Sequence, residues 1–258
     1  MGVVEKFLME MKEFQQERMI RVYVPKGYEQ SGERYPVLYM HDGQNVFDDG
    51  EAFGGVSLGL EAHLDETDRN VIVVAIDRHA DEEERKHEYC PWVTGEYGVK
   101  ILGQPSTVGG KGEAYADFVV KELKPFIDSK YRTLEQETYM AGASLGGLMA
   151  VYAAARYPGV FKRIAGISSG FYRNQEEIER LLKVSDLSHV ERCYLDCGTN
   201  EAGEEEEVNE EVLASIRSVY DIVQSKVGDS KFVVMVNGRH RYVDFRERVP
   251  GMVGYLLG

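Results

Sequence analysis

The chain has 258 residues, of which 43% are hydrophobic and 29% are charged, with a formal net charge of -14 and a pI near 5.0. This composition fits one large α/β domain with a substantial core, and we expect a single domain over residues 1–258. The net charge repels phosphate backbones and anionic bilayers, so neither nucleic acid nor a membrane is expected as a partner.

Short runs of β-branched and aromatic residues alternate with helical patterns, which is typical of a mostly parallel sheet covered by helices. The predicted strands are residues 19–24, 37–41, 71–76, 138–142, 164–168, 192–196 and 232–236. The run 71–76 has no polar face, as expected of a central strand that is covered on both sides. The pattern predicts an α/β fold with helices on both faces of the sheet.

Helical spacing of apolar residues predicts helices over residues 113–130, 148–157, 175–183, 205–227 and 242–257. The segment 77–112 has weak periodicity, several turn residues and a cluster of aromatic residues. We expect it to be a long loop, and loops of this length are usually functional.

Three cysteines are present, Cys90, Cys193 and Cys197. The last two lie four apart on one predicted strand, about 13 Å at ~3.3 Å per residue, which is too far for a disulfide. We therefore expect a cytoplasmic protein. The first thirty residues mix charged and apolar positions, which predicts a soluble protein without a signal peptide. The six histidines form no HExxH or similar ligand pair, so no metal site is expected.

The strongest local motif is G-x-S-x-G at Gly142, Ser144 and Gly146, between a predicted strand and a predicted helix. A nucleophile elbow needs a serine at a sharp strand-to-helix turn, and glycines on either side allow close backbone approach. By chance the motif also occurs as a packing turn of small residues. Its position between strand and helix favours a catalytic Ser144 in an α/β-hydrolase fold.

A serine hydroxyl also needs a general base, and in this fold the acid and then the histidine follow the serine in the chain. His240 follows the last predicted strand, whereas His189 precedes a strand and should lie at the opposite edge of the sheet. The orienting acid should follow the strand 192–196. We predict Glu201 in this role, with Asp196 and Glu204 as alternatives.

Acyl transfer requires N–H donors for the developing oxyanion. The backbone N–H of Leu145 is one candidate because it directly follows the nucleophile. The loop after strand 37–41 supplies the second, from Gly43 or Gln44. An ordinary Asp-Gly turn is the alternative interpretation of that loop.

Together these segments resemble the family called Putative esterase, which includes enterochelin-esterase-like, feruloyl-esterase-like and acetyl-xylan-esterase-like enzymes. The resemblance spans nearly the whole chain, through residues 21–28, 35–48, 85, 88–91, 112–115, 123–128, 141–148, 238–240, 245 and 248–250. It implies a carboxylic ester hydrolase without a cofactor that uses Ser144, Glu201 and His240. Two positions depart from the family pattern: Tyr242 stands where an acidic residue is frequent, and Phe245 where Trp is common.

Two hypotheses concern the residues that would bind the substrate. Aromatic residues after two strands could form a wall for an acyl, aryl or sugar group, or could only pack the long loop; they are Tyr89, Trp92, Tyr97, Phe171 and Tyr172. An anionic siderophore would need a basic patch, for which the candidates are Arg78, Arg85, Lys86 and Lys111. On a chain this acidic, a small or neutral acyl or aryl ester is favoured over a siderophore.

Other functions use the same residues. An acyltransferase or a peptidase could act through the same triad, and a binding module would lack one of its members. A homo-oligomer is a further possibility.

Overall fold

The computed structural model describes residues 1–258, and its eight strands form one sheet. The strands are β1 (Val3–Met11), β2 (Gln16–Val24), β3 (Tyr35–His41), β4 (Ile72–Ile76), β5 (Thr133–Ala143), β6 (Arg163–Ile167), β7 (Arg192–Gly198) and β8 (Asp229–Met235). Their order across the sheet is β1-β2-β4-β3-β5-β6-β7-β8. β2 pairs antiparallel with β1 and with β4, and all other pairs are parallel. The predicted mostly parallel sheet is confirmed.

Nine α-helices surround the sheet. They are α1 (Leu60–Glu66), α2 (Glu82–Tyr89), α3 (Glu96–Leu102), α4 (Gly112–Asp117), α5 (Lys124–Lys130), α6 (Leu145–Arg156), α7 (Gln175–Val184), α8 (Glu206–Gln224) and α9 (Tyr242–Leu257). A π-helical turn, Phe118–Leu123, joins α4 to α5, so the predicted helix over residues 113–130 is continuous. None of these helices is both long enough and apolar enough to cross a bilayer.

Alternation along the strands divides the core into two clusters, because successive side chains of a strand point to opposite faces. Val37 and Tyr39 of β3 belong to the larger cluster, with residues of α4 to α8. Leu38 and Met40 belong to the smaller cluster, with residues of α1 and α9. Helices therefore cover both faces of the sheet, as predicted.

Helix α1 was not predicted from the sequence, and two further parts of the fold were also missed. The first is β1, a half-exposed edge strand with charged residues on it, which pairs with β2 across a turn at Gln15. The second is the pair of helices α2 and α3 inside segment 77–112. Helix α2 shows no apolar stripe because Arg85 and Glu88 are part of its buried face and are paired with Asp42 and Arg18.

Candidate active site

Ser144 occupies the sharp turn between β5 and α6, with backbone angles φ 56° and ψ −122°. A positive φ is strained for a residue other than glycine, and such strain is concentrated at functional sites. The flanking glycines are sterically required. A Cβ on Gly142 would lie 2.6 Å from the backbone of Gly146, and one on Gly146 would lie 3.0 Å from the Cβ of His41.

Three predicted residues meet at this turn. His240 Nε2 lies 2.9 Å from Ser144 Oγ, and His240 Nδ1 lies 2.7 Å from Glu201 Oε2. Glu201 follows β7 and His240 follows β8, both of which run parallel to β5 through β6. Parallel strands bring their carboxyl ends to one edge of the sheet, which explains how residues so distant in sequence converge.

The alternatives considered for the acid and the base lie elsewhere. Asp196 is fully buried and pairs with Arg248 Nη1 at 3.0 Å. Glu204 is exposed to solvent. His189 precedes β7 and so lies at the end of that strand opposite to Glu201.

The Glu201 carboxylate is held from several sides, with its side chain only 2% exposed. Its Oε1 accepts hydrogen bonds at 2.5 Å from Ser168 Oγ and from the Gly198 N–H. Burial alone would raise the pKa of Glu201, but the hydrogen bonds from His240, Ser168 and Gly198 hold it below its usual value. The carboxylate is therefore ionised near neutral pH and can accept the Nδ1–H of the imidazole.

Of the residues predicted as oxyanion donors, Leu145 directly follows the nucleophile, and Gly43 and Gln44 lie in the loop after β3. Leu145 is the first residue of α6, so its N–H has no acceptor within the helix. Gly43 lies after β3, where a Cβ would come within 2.7 Å of the backbone nitrogen of Asp77. The neighbouring Gln44 anchors this loop, since its Oε1 accepts a hydrogen bond from the N–H of Arg78 at 3.1 Å.

A cavity of about 310 Å³ opens in front of Ser144. Its lining residues are Asp42, Asn45, Phe53, Arg78, Glu82, Arg85, Ser144, His240, Tyr242 and Phe245. Two of the charged side chains form a buried bidentate pair, Arg85 with Asp42, at 2.6 and 2.9 Å. The other two, Arg78 and Glu82, pair at 2.9 Å. No cluster of three or more His, Cys, Asp or Glu side chains is arranged to hold a metal ion.

A model of the family Putative esterase matches residues 11–256. The chain belongs to this family. It is 24% identical over 212 residues to the uncharacterized protein YbbA of Bacillus subtilis (strain 168), covering 81% of this chain and 79% of YbbA. This membership makes the protein an esterase-type hydrolase, as the sequence predicted.

Solved structures support the α/β-hydrolase fold of this esterase-family chain. An IroE-like serine hydrolase from Shewanella oneidensis superposes with a TM-score of 0.76 at 18% identity, covering 99% of this chain and 80% of that one. The enterobactin esterase FES from Shigella flexneri superposes with a TM-score of 0.74 at 16% identity, covering 98% of this chain and 58% of that one.

The aromatic wall expected from the sequence does not line the cavity of this esterase. Tyr89 is fully buried, and its Oη accepts the N–H of Asp42 at 3.0 Å. Trp92 packs edge-on against Tyr152 with ring centroids 5.3 Å apart. Tyr172 also packs on the larger core cluster. These side chains pack in or against the core and do not reach the cavity, because α2 and α3 fold against the body of the protein instead of forming an open loop.

Tyr97 and Phe171 are likewise absent from the cavity lining. The Oη of Tyr97 donates to a backbone carbonyl of α8, and Phe171 is fully buried in the core. The aromatic residues that do line the cavity are Phe53, Tyr242 and Phe245. Sequence reasoning missed Phe53, which lies in a glycine-rich loop without periodicity; its proximity to the predicted oxyanion segment was the available signal.

Of the four basic residues considered for an anionic substrate, only Arg78 and Arg85 reach the cavity. Lys86 pairs with Glu83, and Lys111 pairs with Glu84 at 2.7 Å. No unpaired basic patch faces Ser144, because each cavity arginine already has a carboxylate partner.

Proposed function

We propose that this chain is a serine carboxylic ester hydrolase that forms an acyl-enzyme on Ser144. The observation that carries the proposal is the unbroken hydrogen-bonded line from Ser144 Oγ through the His240 imidazole to Glu201 Oε2, at 2.9 and 2.7 Å. A serine at a strained turn with a base in contact and an acid behind that base is the arrangement that activates a hydroxyl for acyl transfer.

In the proposed reaction, Ser144 Oγ attacks the ester carbonyl while His240 Nε2 takes its proton. Glu201 keeps Nδ1 protonated and stabilises the imidazolium, which then returns the proton to the departing alcohol. The N–H of Leu145 and a backbone N–H of the loop holding Gly43 and Gln44 would stabilise the oxyanion, and such donors are each worth about 10²–10³ in turnover. A water molecule, deprotonated by His240, then attacks the acyl-enzyme carbonyl. The carboxylic acid leaves and Ser144 Oγ regains its proton from the imidazolium.

Access of solvent favours hydrolysis over transfer of the acyl group to another acceptor. The His240 side chain is 37% exposed, so water can approach the imidazole that must activate it. An acyltransferase would need to exclude water from this position.

The proposed substrate is a small or neutral acyl or aryl ester. The cavity contains two arginines and two carboxylates, so its lining brings no net charge to a leaving group. A catecholate siderophore would have to displace these internal pairs before it gained an arginine partner.

The test is hydrolysis of p-nitrophenyl esters of rising acyl length, feruloyl and acetylated-sugar esters, and a catecholate ester. Ser144→Ala should reduce turnover on the order of 10⁶-fold, by analogy with other triad hydrolases. The control is Ser188→Ala, which removes an exposed hydroxyl before β7 and should leave turnover unchanged. Retention of most activity in Ser144→Ala would refute the proposal. Product analysis with an added alcohol acceptor separates hydrolysis from acyl transfer.

A further inference from the structure

A buried guanidinium lies behind the proposed acid. Arg248 of α9 has a side chain that is 1% exposed, and its Nη1 donates to Ser168 Oγ at 2.6 Å and to Asp196 Oδ1 at 3.0 Å. The same nitrogen lies 3.6 Å from Glu201 Oε1. Ser168 links Arg248 to the proposed acid, because its hydroxyl accepts from the guanidinium and donates to Glu201 Oε1.

The second terminal nitrogen of Arg248 faces the loop that carries His240. A Cβ added to Gly238 would lie 2.6 Å from Nη2, so the loop packs directly on the guanidinium. Nη2 also approaches the carbonyl oxygen of Arg239 at 3.4 Å. One side chain therefore contacts both the support of the acid and the backbone that presents the base.

The charges around Arg248 do not balance. Two carboxylates, Asp196 and Glu201, share this one cation, and the Tyr194 hydroxyl and the Cys197 thiol are the neutral groups beside them. Burial raises the pKa of Asp196 to about 6, against the opposing effect of Arg248. When both carboxylates are ionised the cluster carries one negative charge, and His240 is the group positioned to become its counter-ion.

We propose that Arg248 is a positioning residue for the reaction proposed above: through Ser168, Asp196 and the Gly238–Arg239 backbone it fixes Glu201 relative to His240 and limits the negative charge behind the imidazole. The inference rests on the proposed function. The charge imbalance distinguishes this positioning role from that of a purely structural ion pair. If Arg248 and Asp196 act on His240, changing the charge of either one should alter how readily the imidazole gains a proton.

Opposite changes of charge provide the test. Arg248→Met makes the cluster more negative and should move the acid limb of the kcat/KM profile to higher pH by about 0.5–1 unit, since that limb reports protonation of the base. Asp196→Asn makes it less negative and should move the limb to lower pH. In Arg248→Met, kcat should also fall about 10²-fold, the cost of a misplaced catalytic group, with KM changed less than about 3-fold. Arg248→Lys should recover part of kcat.

Arg248→Met leaves Asp196 buried without a cation and could unfold the protein. Ser168→Ala is therefore the second variant, since it removes the relay hydroxyl and leaves every charge paired. It should weaken the downfield proton resonance of the Nδ1–H bond to Glu201 and lower kcat about 10-fold, less than a misplaced group costs. Unmoved acid limbs in both charge variants, or an unchanged resonance and kcat in Ser168→Ala, would overturn the inference. If Ser144→Ala keeps its activity while these shifts appear, the proposed function fails and the Arg248 network does not.

Discussion

His240 Nδ1 lies 2.7 Å from Glu201 Oε2, and the two side chains differ sharply in exposure, 37% for the imidazole and 2% for the carboxylate. The pair therefore joins a buried, fixed anion to a ring that meets solvent and the cavity. A carboxylate in this position holds the ring in the tautomer that leaves Nε2 free to accept the serine proton.

Replacement of the acid should reveal that role. In Glu201→Gln an amide faces Nδ1 in place of a carboxylate, and kcat should fall about 10⁴-fold, as when a triad acid is replaced by its amide. Glu204→Gln, an exposed neighbour in the same loop, is the matched control and should retain full kcat. Steady-state kinetics on one p-nitrophenyl ester measures both. An equal effect of the two substitutions would exclude Glu201 as the orienting acid.

The elbow should tolerate no side chain at its first glycine. Gly142→Ala places a Cβ 2.6 Å from the backbone of Gly146 and should lower the free energy of unfolding by about 1–3 kcal/mol, the usual cost of overpacking. In the control Gly251→Ala, in α9, the added Cβ has no neighbour within 4 Å. This variant should raise the free energy of unfolding by up to about 1 kcal/mol through helix propensity. Urea unfolding compares them. Similar free energies for the two variants would contradict the close approach at the elbow.

The buried His41 should make stability depend on pH. Burial lowers the pKa of His41 from 6.5 to about 4, so below pH 6.5 the unfolded chain binds a proton that the folded protein does not. The stability due to this neutral imidazole is present above pH 6.5 and is lost as the pH falls. The loss in free energy of unfolding from pH 7 to pH 5 should be smaller in His41→Asn than in the wild type by about 2 kcal/mol. Identical losses would mean that the ring titrates normally.

Phe53 should govern binding of aryl groups. Its ring is 56% exposed at the cavity and lies 4.0 Å from the guanidinium of Arg78. Phe53→Ala should raise KM for aryl esters several-fold more than for an acetate ester, with kcat little changed. Phe126→Ala, a half-exposed ring on α5 that packs on Phe7, is the control and should leave both values unchanged. Equal KM changes for the two ester classes would remove Phe53 from substrate recognition.

The meeting of Ser144 and His240 could be predicted because strand order and chain order constrain both. Each lies just beyond a strand of recognisable pattern, and parallel strands end at one edge. Glu201 was less certain, since three carboxylates follow or end the same strand and only the fold of the loop separates them. The aromatic wall could not be judged from sequence. Tyr89 lies on a helix whose buried face is partly charged, so hydrophobic periodicity gave no indication of its direction.

The Arg248 network was also beyond sequence reasoning. Its partners Asp196 and Ser168 are 52 and 80 residues away, and no local pattern marks a pairing that depends on how α9 crosses β6 and β7. The edge strand β1 was missed for a related reason. Its charged residues obscure the alternation of polar and apolar side chains, and its strand conformation depends on pairing with β2.

The most direct test of the proposed nucleophile is covalent labelling with a fluorophosphonate, followed by peptide mass spectrometry. We predict a single adduct on Ser144, lost in Ser144→Ala and formed far more slowly in His240→Ala. An adduct on a different serine, or ester hydrolysis by a chain in which Ser144 is never labelled, would contradict this prediction.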